Sequence, residues 1–260
     1  MGATTPIDED ELTRQVQAMY RAVAETPHEP FHFETGRALA ERLGYPPPLL
    51  DAVPAGAVES FAGVGYALDL AGLDVGEAVL DLGSGSGMDA FVAALAVGPA
   101  GRVVGIDMTA EQLAKAEALR ASGGFAHVVF EEGRIEALPF DDATFDAVVS
   151  NGVINLTPDK DRVLAEAARV LRPSGRLAIA DIVTDAPLAD AIVGDVDLWA
   201  SCIGGAPQRD AYREAMAGAG LTVEVVRDNP YAFLSEQARN ASAEYGVKSV
   251  SVRASKRRAR

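Results

Sequence analysis

The sequence predicts an α/β chain: a doubly wound, mostly parallel sheet preceded by a helical cap and followed by C-terminal additions. Three observations carry this expectation. Between Glu77 and Asp185 short apolar runs alternate with stretches of helical period, the pattern of parallel strands joined by crossover helices. The first of those runs passes straight through the glycine-rich stretch 83–87 into a helix. The second run ends on an acid, Asp107. At 260 residues and 48% hydrophobic, the chain can bury a full core as one domain of ordinary size carrying additions.

Residues 1–73 form the expected cap. Its first helix is read over "DEDELTRQVQAMYRAVA", whose acids gather at the end the helix dipole favours, and a proline-rich run, "GYPPPLLDAVP", follows. Residues 74–184 form the core. There "EAVLDL", "GRVVGID", "AHVVFEEG", "FDAVVSNG" and "GRLAIADIV" read as strands. The helix in "MTAEQLAKAEALRA" is expected to open on a capping box of Thr109 and Gln112. That in "TPDKDRVLAEAARVLRPSG" is expected to be capped by Thr157, with Pro158 at its first position and Val163, Leu164, Ala167, Val170 and Leu171 as its apolar stripe. Pro173 to Gly175 then turns the chain into the next strand. Residues 185–260 supply a helix through Trp199, another from about Gln208 to Ala219, and the strands "LTVEVV" and "VKSVSVRA", which close the sheet as a hairpin with a long excursion.

The stretch "VLDLGSGSGMDA" ends a strand, passes Gly83, Gly85 and Gly87, and opens a helix. Backbone without side chains can approach a ligand closely there, and a helix N-terminus favours negative charge. Dinucleotide-binding loops favour G-x-G-x-x-G, whereas this loop is G-x-G-x-G preceded by Asp81. Asp107, at the end of "VVGID", sits where a carboxylate can accept from both hydroxyls of a ribose. Loop and acid together describe a nucleoside site at the carboxyl ends of the strands; a purely structural tight turn is the alternative.

With these residues the chain resembles the class I S-adenosylmethionine-dependent methyltransferases, over about residues 60–184. The resemblance implies a Rossmann-like fold and S-adenosyl-L-methionine as cofactor. It implies that Asp81, Gly83, Gly85, Ser86 and Gly87 form the methionine end of the site, that Asp107 takes the ribose hydroxyls and that Met108 packs on the adenine. Ile135 and Glu136 in "EGRIEALPF" match the segment at the adenine edge, and Asn151 in "VVSNGVINL" matches the strand end beside the methionine group. Within the class, "DLGSGSGMD", "GIDMT", "SNGVINLTPDK", "VLAEAARVLRPSGRL" and "LWASCIGGA" resemble the arsenite methyltransferases. In that family trivalent arsenic is held by cysteine thiolates, soft ligands for a soft centre. Cys202, the only cysteine of the chain, matches one of them. Gly152 and Val64 stand where the family has its others, and the N-terminal segment contains none.

The resemblance therefore implies transfer of a methyl group to a small soft acceptor, with a trivalent arsenical leading and another small molecule (a thiol, a selenol or a natural product) as the alternative. Trivalent arsenic, a thiolate or a selenolate carries no proton on the attacking lone pair, which suits a chain without an obvious catalytic histidine. A nicotinamide-dependent oxidoreductase or a non-catalytic cofactor binder would share the sheet and the acid. Asp181, at the end of the fifth strand, is the acid best placed to touch an acceptor, with a structural role as its alternative; Cys202 is either a ligand of the acceptor or a small buried apolar residue. His28 and His32 have helical spacing, but Pro30 between them argues against a helix and no third ligand is evident, so no metal site is expected. His32 with Phe31 and Phe33 is expected to line the cap, His127 to begin a strand, and Trp199 to form core or pocket wall.

Charge narrows the partners. Acidic residues outnumber basic ones 38 to 23, a net charge of −15, which repels polyanions and argues against nucleic acid. Only the terminal "SKRRAR" is basic. No apolar run reaches membrane-spanning length, and "MGATTPIDEDEL" is acidic where a signal peptide is basic and then apolar. A cytoplasmic monomer or homodimer that meets a small-molecule acceptor, away from membranes, is the expectation, and a single cysteine agrees with a reducing compartment.

Overall fold

A computed structural model describes residues 8–195, 198–199 and 203–257. Among the described residues seven strands form one sheet: β1 Ala78–Leu82, β2 Arg102–Asp107, β3 Val128–Glu132, β4 Phe145–Asn151, β5 Leu171–Val183, β6 Leu221–Asp228 and β7 Lys248–Lys256. Their order across the sheet is β3-β2-β1-β4-β5-β7-β6. The first five run parallel, and β7 is antiparallel to both β5 and β6, so the expected closing hairpin is present. Strand order reverses between β1 and β4, and open α/β sheets bind ligands at that switch, beyond the carboxyl ends of the strands.

The helices are α1 Glu9–Glu25, α2 Arg37–Leu43, α3 Pro47–Asp51, α4 Ala55–Glu59, α5 Leu68–Ala71, α6 Met88–Val97, α7 Ala110–Gly123, α8 Lys160–Val170, α9 Asp190–Val193, α10 Arg209–Gly218 and α11 Glu236–Tyr245. Helices cover both faces of the sheet, which is why the central strands read as unbroken apolar runs: Val103, Val104 and Ile106 are all wholly buried. One core packs Leu80, Leu82, Val104, Ile106 and Val148 against α8 and α10. The opposite core packs Val79, Val103, Ala147 and Val149 against α6 and against Leu39, Leu43, Tyr45, Leu50 and Val58 of the segment before the sheet. A third, smaller cluster stands apart. It joins Leu12 and Val16 of α1 to Leu156 and Trp199, with Tyr20, Met108 and Val193 at its margin.

Two helix starts differ from expectation. Thr109 makes no side-chain cap; its backbone N–H donates to Asp107 Oδ1 at 2.8 Å, and Gln112 turns inward. Thr157 does not cap α8 either. Asp159 does, accepting from the Arg162 N–H at 3.0 Å, and Pro158 stays outside the helix. Distant partners took the side chains of Gln112, which meets Ser86 and Tyr20, and of Thr157, which meets Glu136. The turn at 173–175 lies within β5: Ser174 adopts a left-handed φ of 67°, and a Cβ on Gly175 would meet the Arg172 carbonyl oxygen at 2.8 Å. No helix among the described residues is long and apolar enough to cross a membrane.

Candidate active site

A cavity lies at the switch between β1 and β4. The β1–α6 loop forms its floor, with Asp81, Gly83, Ser84, Gly85 and Ser86; Asp107, Met108 and Thr109 follow β2; Ile135 and Glu136 follow β3; Asn151 and Val153 follow β4. Nine of the ten residues expected to hold a cofactor line it. The exception is Gly87, whose φ of 91° and contact with Phe130, 2.6 Å from a Cβ there, explain the glycine by packing instead. Gly83 and Gly85 also hold left-handed φ, 67° and 53°, which lets the loop expose its backbone to the cavity.

Two carboxylates differ in how they are held. Asp107 orients the loop, its Oδ2 accepting from Gly85 N–H at 2.9 Å and its Oδ1 from Thr109. Burial raises its pKa against those bonds. Asp81 is 2% exposed, and its Oδ2 has no hydrogen-bond partner. Burial raises its pKa well above the usual range, and the charges of Asp89 and Asp107 add to the shift. Asp89, buried beside it, is better served: Tyr45 O–H donates to one oxygen at 2.5 Å and Asn151 Nδ2 to the other at 2.9 Å. Asn151 also accepts from the Val64 N–H at 2.8 Å and donates to the Gly65 carbonyl at 2.8 Å. It therefore pins the 63–65 loop to the end of β4. Two buried acids with one bare oxygen facing a cavity make a place for a cation. Ser84 Oγ, also lining it, is unpartnered too. These orphaned atoms fit the ammonium and polar groups of an amino-acid-bearing nucleoside.

The sequence predicts a cap over residues 1–73 but not which of its residues line the cavity. Thr13, Val16 and Tyr20 of α1 line the cavity opposite the glycine loop, and Leu156, Thr157 and Pro158 close another side. Thr157 Oγ1 donates to Glu136 Oε1 at 2.7 Å, which is what removed it from capping α8. Phe31 and Phe33 stack on one another 5.5 Å apart, with His32 edge-on to Phe33; none of the three lines the cavity. His127 Nε2 pairs with the Ala94 carbonyl, and Trp199 is buried with its indole N–H on the Val193 carbonyl.

Asp181 does not line the cavity. It is 1% exposed beneath the 3₁₀ turn Ile154–Leu156, accepting from the N–H groups of Asn155 at 3.2 Å and Ile182 at 2.9 Å. Its oxygens hold the 154–156 turn against the end of β5. Burial raises its pKa to about 7, well above the ordinary carboxylate range. A buried acid with a raised pKa binds more protons folded than unfolded, so its stabilising effect is full below about pH 4 and fades as pH rises to about 7. Asp181→Asn cannot titrate. Its melting temperature relative to the native chain is therefore expected to improve from about pH 4 to about pH 7 and to level off above that; a difference independent of pH would remove the raised pKa.

Cys202 lies outside the described residues. Residues that follow it are placed: Ile203 is fully buried, and a Cβ on Gly205 would collide with the Asn155 carbonyl oxygen, so this glycine lets the segment from 203 lie against the 154–156 turn. Val64 and Gly152 face each other. A Cβ at Gly152, whose φ is 73°, would sit 3.4 Å from Val64 Cγ1.

A methyltransferase-domain family matches residues 73–220. The chain is 41% identical over 205 residues to an arsenite methyltransferase of Halobacterium salinarum, covering 78% of this chain and 52% of that one. It is 47% identical over 160 residues to one of Aquipseudomonas alcaligenes, covering 58% and 46%. The chain thus spans about half the length of the curated relatives it matches. Among solved structures, an arsenic(III) S-adenosylmethionine methyltransferase of Chlamydomonas reinhardtii superposes with a TM-score of 0.65 at 31% identity, over 86% of this chain and 74% of that one.

Proposed function

The chain belongs to the methyltransferase-domain family, and from that premise we propose that it uses S-adenosyl-L-methionine to methylate a small soft acceptor, a trivalent arsenical. The observation that carries the cofactor reading is the unpartnered Asp81 oxygen, set in one cavity with the Asp107 carboxylate and the exposed backbone of the glycine loop. The arsenical is supported by the similarity to the arsenite methyltransferases.

When bound, S-adenosylmethionine supplies a methyl carbon made electrophilic by its sulfonium. The protein's part is to hold, orient and exclude. Asp81 would accept from the methionine ammonium, gaining the cation its buried oxygen lacks. Asp107 retains acceptor capacity beyond its two backbone bonds for the ribose hydroxyls. Met108 and Ile135 would flank the adenine and Glu136 would meet its edge. Asn151 keeps the 63–65 loop close to the strand end, and α1 with the 154–158 wall keeps water out, so that an acceptor held at attack distance meets few competing nucleophiles. An arsenic lone pair needs no general base, consistent with a cavity lined by no histidine. We extend the reading to a protein that works in the cytoplasm on a freely diffusing acceptor.

The test is calorimetry with S-adenosylmethionine and NADH side by side, then turnover of labelled methyl groups against arsenite, methylarsonous acid and small thiols and selenols. Binding of NADH alone would replace the reading with an oxidoreductase. Cofactor binding without transfer to any acceptor would leave a non-catalytic binder, and transfer to thiols or selenols alone would remove arsenic. Asp107→Ala is expected to weaken S-adenosylmethionine binding by about 1.5–3 kcal/mol, more than tenfold, because a charge-assisted pair of hydrogen bonds is lost. Unchanged affinity would remove Asp107 from the site.

A further inference from the structure

Gln112 was expected to complete a local capping box, yet it is 2% exposed and spans the cavity wall. Its Oε1 accepts from Ser86 Oγ of the glycine loop at 2.5 Å. Its Nε2 donates to the Tyr20 carbonyl of α1 at 2.8 Å. One side chain therefore joins the floor of the cavity to its roof.

Other contacts also hold the roof: Ser60 Oγ donates to the Val23 carbonyl at 3.1 Å, and the Tyr20 ring stacks on Phe33. Gln17 Nε2 donates to the Met108 carbonyl at 3.0 Å, and Arg21 pairs with Glu111 at the surface. Lys115 Nζ donates to the Ala24 carbonyl at 2.9 Å, supplying a cation to a helix end whose last turn has no basic residue. The buried residues of α1 are Leu12, Val16, Val23 and Ala24, and Leu12 and Val16 belong to the small cluster separate from both sheet cores. An element with so few buried apolar contacts opens at a lower free energy than the sheet beneath it.

We propose that Gln112 is a positioning residue that couples the glycine loop to α1, so that closure of α1 over the cavity and order in the loop support each other. Ligand held by the loop then also holds the roof shut, and the roof must release before ligand leaves. Loss of either hydrogen bond uncouples the two. The ligand side of this inference rests on the cofactor reading above, whereas the attachment of α1 does not.

Hydrogen exchange on the full ligand-free chain tests the attachment. In Gln112→Leu, which keeps bulk and removes both polar ends, amides of residues 9–25 are expected to exchange at least tenfold faster while those of β1 and β4 keep their native rates. Gln112→Glu keeps the acceptor for Ser86 and removes the donor to Tyr20, so it should give the same result and serves if the leucine variant fails to fold. Native exchange across α1 in a folded variant, or acceleration across the whole sheet, overturns the proposal. S-adenosylhomocysteine tests the coupling. It should slow α1 exchange in the native protein, do so much less in Ser86→Ala, and dissociate at least tenfold faster from Gln112→Leu with little change in association rate. Undiminished protection of α1 in Ser86→Ala also overturns it. Failure of S-adenosylhomocysteine to bind the native protein would strike the cofactor reading, while the ligand-free exchange still decides the attachment.

Discussion

A chain lacking residues 1–25 is expected to bind S-adenosylhomocysteine at least a hundredfold more weakly than the full chain and to transfer no measurable methyl group. The reason is geometric. Thr13, Val16 and Tyr20 form the wall opposite the glycine loop, so removing α1 opens the nucleoside site itself and leaves Met108 and Leu156 facing water. A hundredfold corresponds to about 2.7 kcal/mol, within reach of losing two buried apolar contacts together with water exclusion. The sheet should survive, because α2 to α5 and not α1 bury into its core; far-ultraviolet circular dichroism and the melting temperature check this. Loss of transfer with cofactor affinity intact would mean that α1 covers only the acceptor, which is what a cap read from sequence alone suggests.

That difference shows where the sequence was legible. The parallel sheet was, because strands covered on both faces must be apolar throughout, and "RVVGID" or "FDAVVSN" admits few other readings. The glycine loop and Asp107 were, since a tight strand-to-helix turn needs left-handed residues at fixed places. Side chains choosing between a near and a far partner were not. Thr109 and Gln112 have the spacing of a capping box, but Gln112 took Ser86, 26 residues away, and Tyr20, 92 residues away. Thr157 took Glu136 in the same manner. Gly87 looks like a ligand-facing glycine and answers to Phe130. Asp181 ends its strand beside the crevice, but the Ile154–Leu156 turn folds over it, and nothing local in "AIADIV" announces that cover. Asp89 and Tyr45 were missed although "GMDA" carries an acid in the first turn of the helix; its significance depends on Asp81 lying next to it.

The arsenic reading makes the sharpest demand on residues this chain lacks. Introducing Val64→Cys together with Gly152→Cys is expected to raise affinity for arsenite at least tenfold, measured by calorimetry with a phosphine reductant present, while S-adenosylhomocysteine binding and circular dichroism hold. Two thiolates so placed would lie close together, since the Cβ of residue 152 falls 3.4 Å from the γ position of residue 64, and trivalent arsenic favours soft sulfur ligands. The same proximity suits a disulfide, hence the reductant. A side chain at 152 must adopt a φ of 73°, which costs about 1–2 kcal/mol of stability, so each variant's melting temperature has to be read beside its affinity. In the native chain Val64 and Gly152 are buried and neither lines the cavity. Cys202→Ser separates a ligand role from a packing role: loss of nearly all transfer to methylarsonous acid with unchanged cofactor binding makes the cysteine a ligand, whereas full transfer with a stability loss of about 1 kcal/mol makes it a small buried residue. Should the double variant gain no arsenite affinity and the serine variant keep its turnover, arsenic is not what this pocket receives, and the acceptor belongs among small thiols, selenols or other soft molecules.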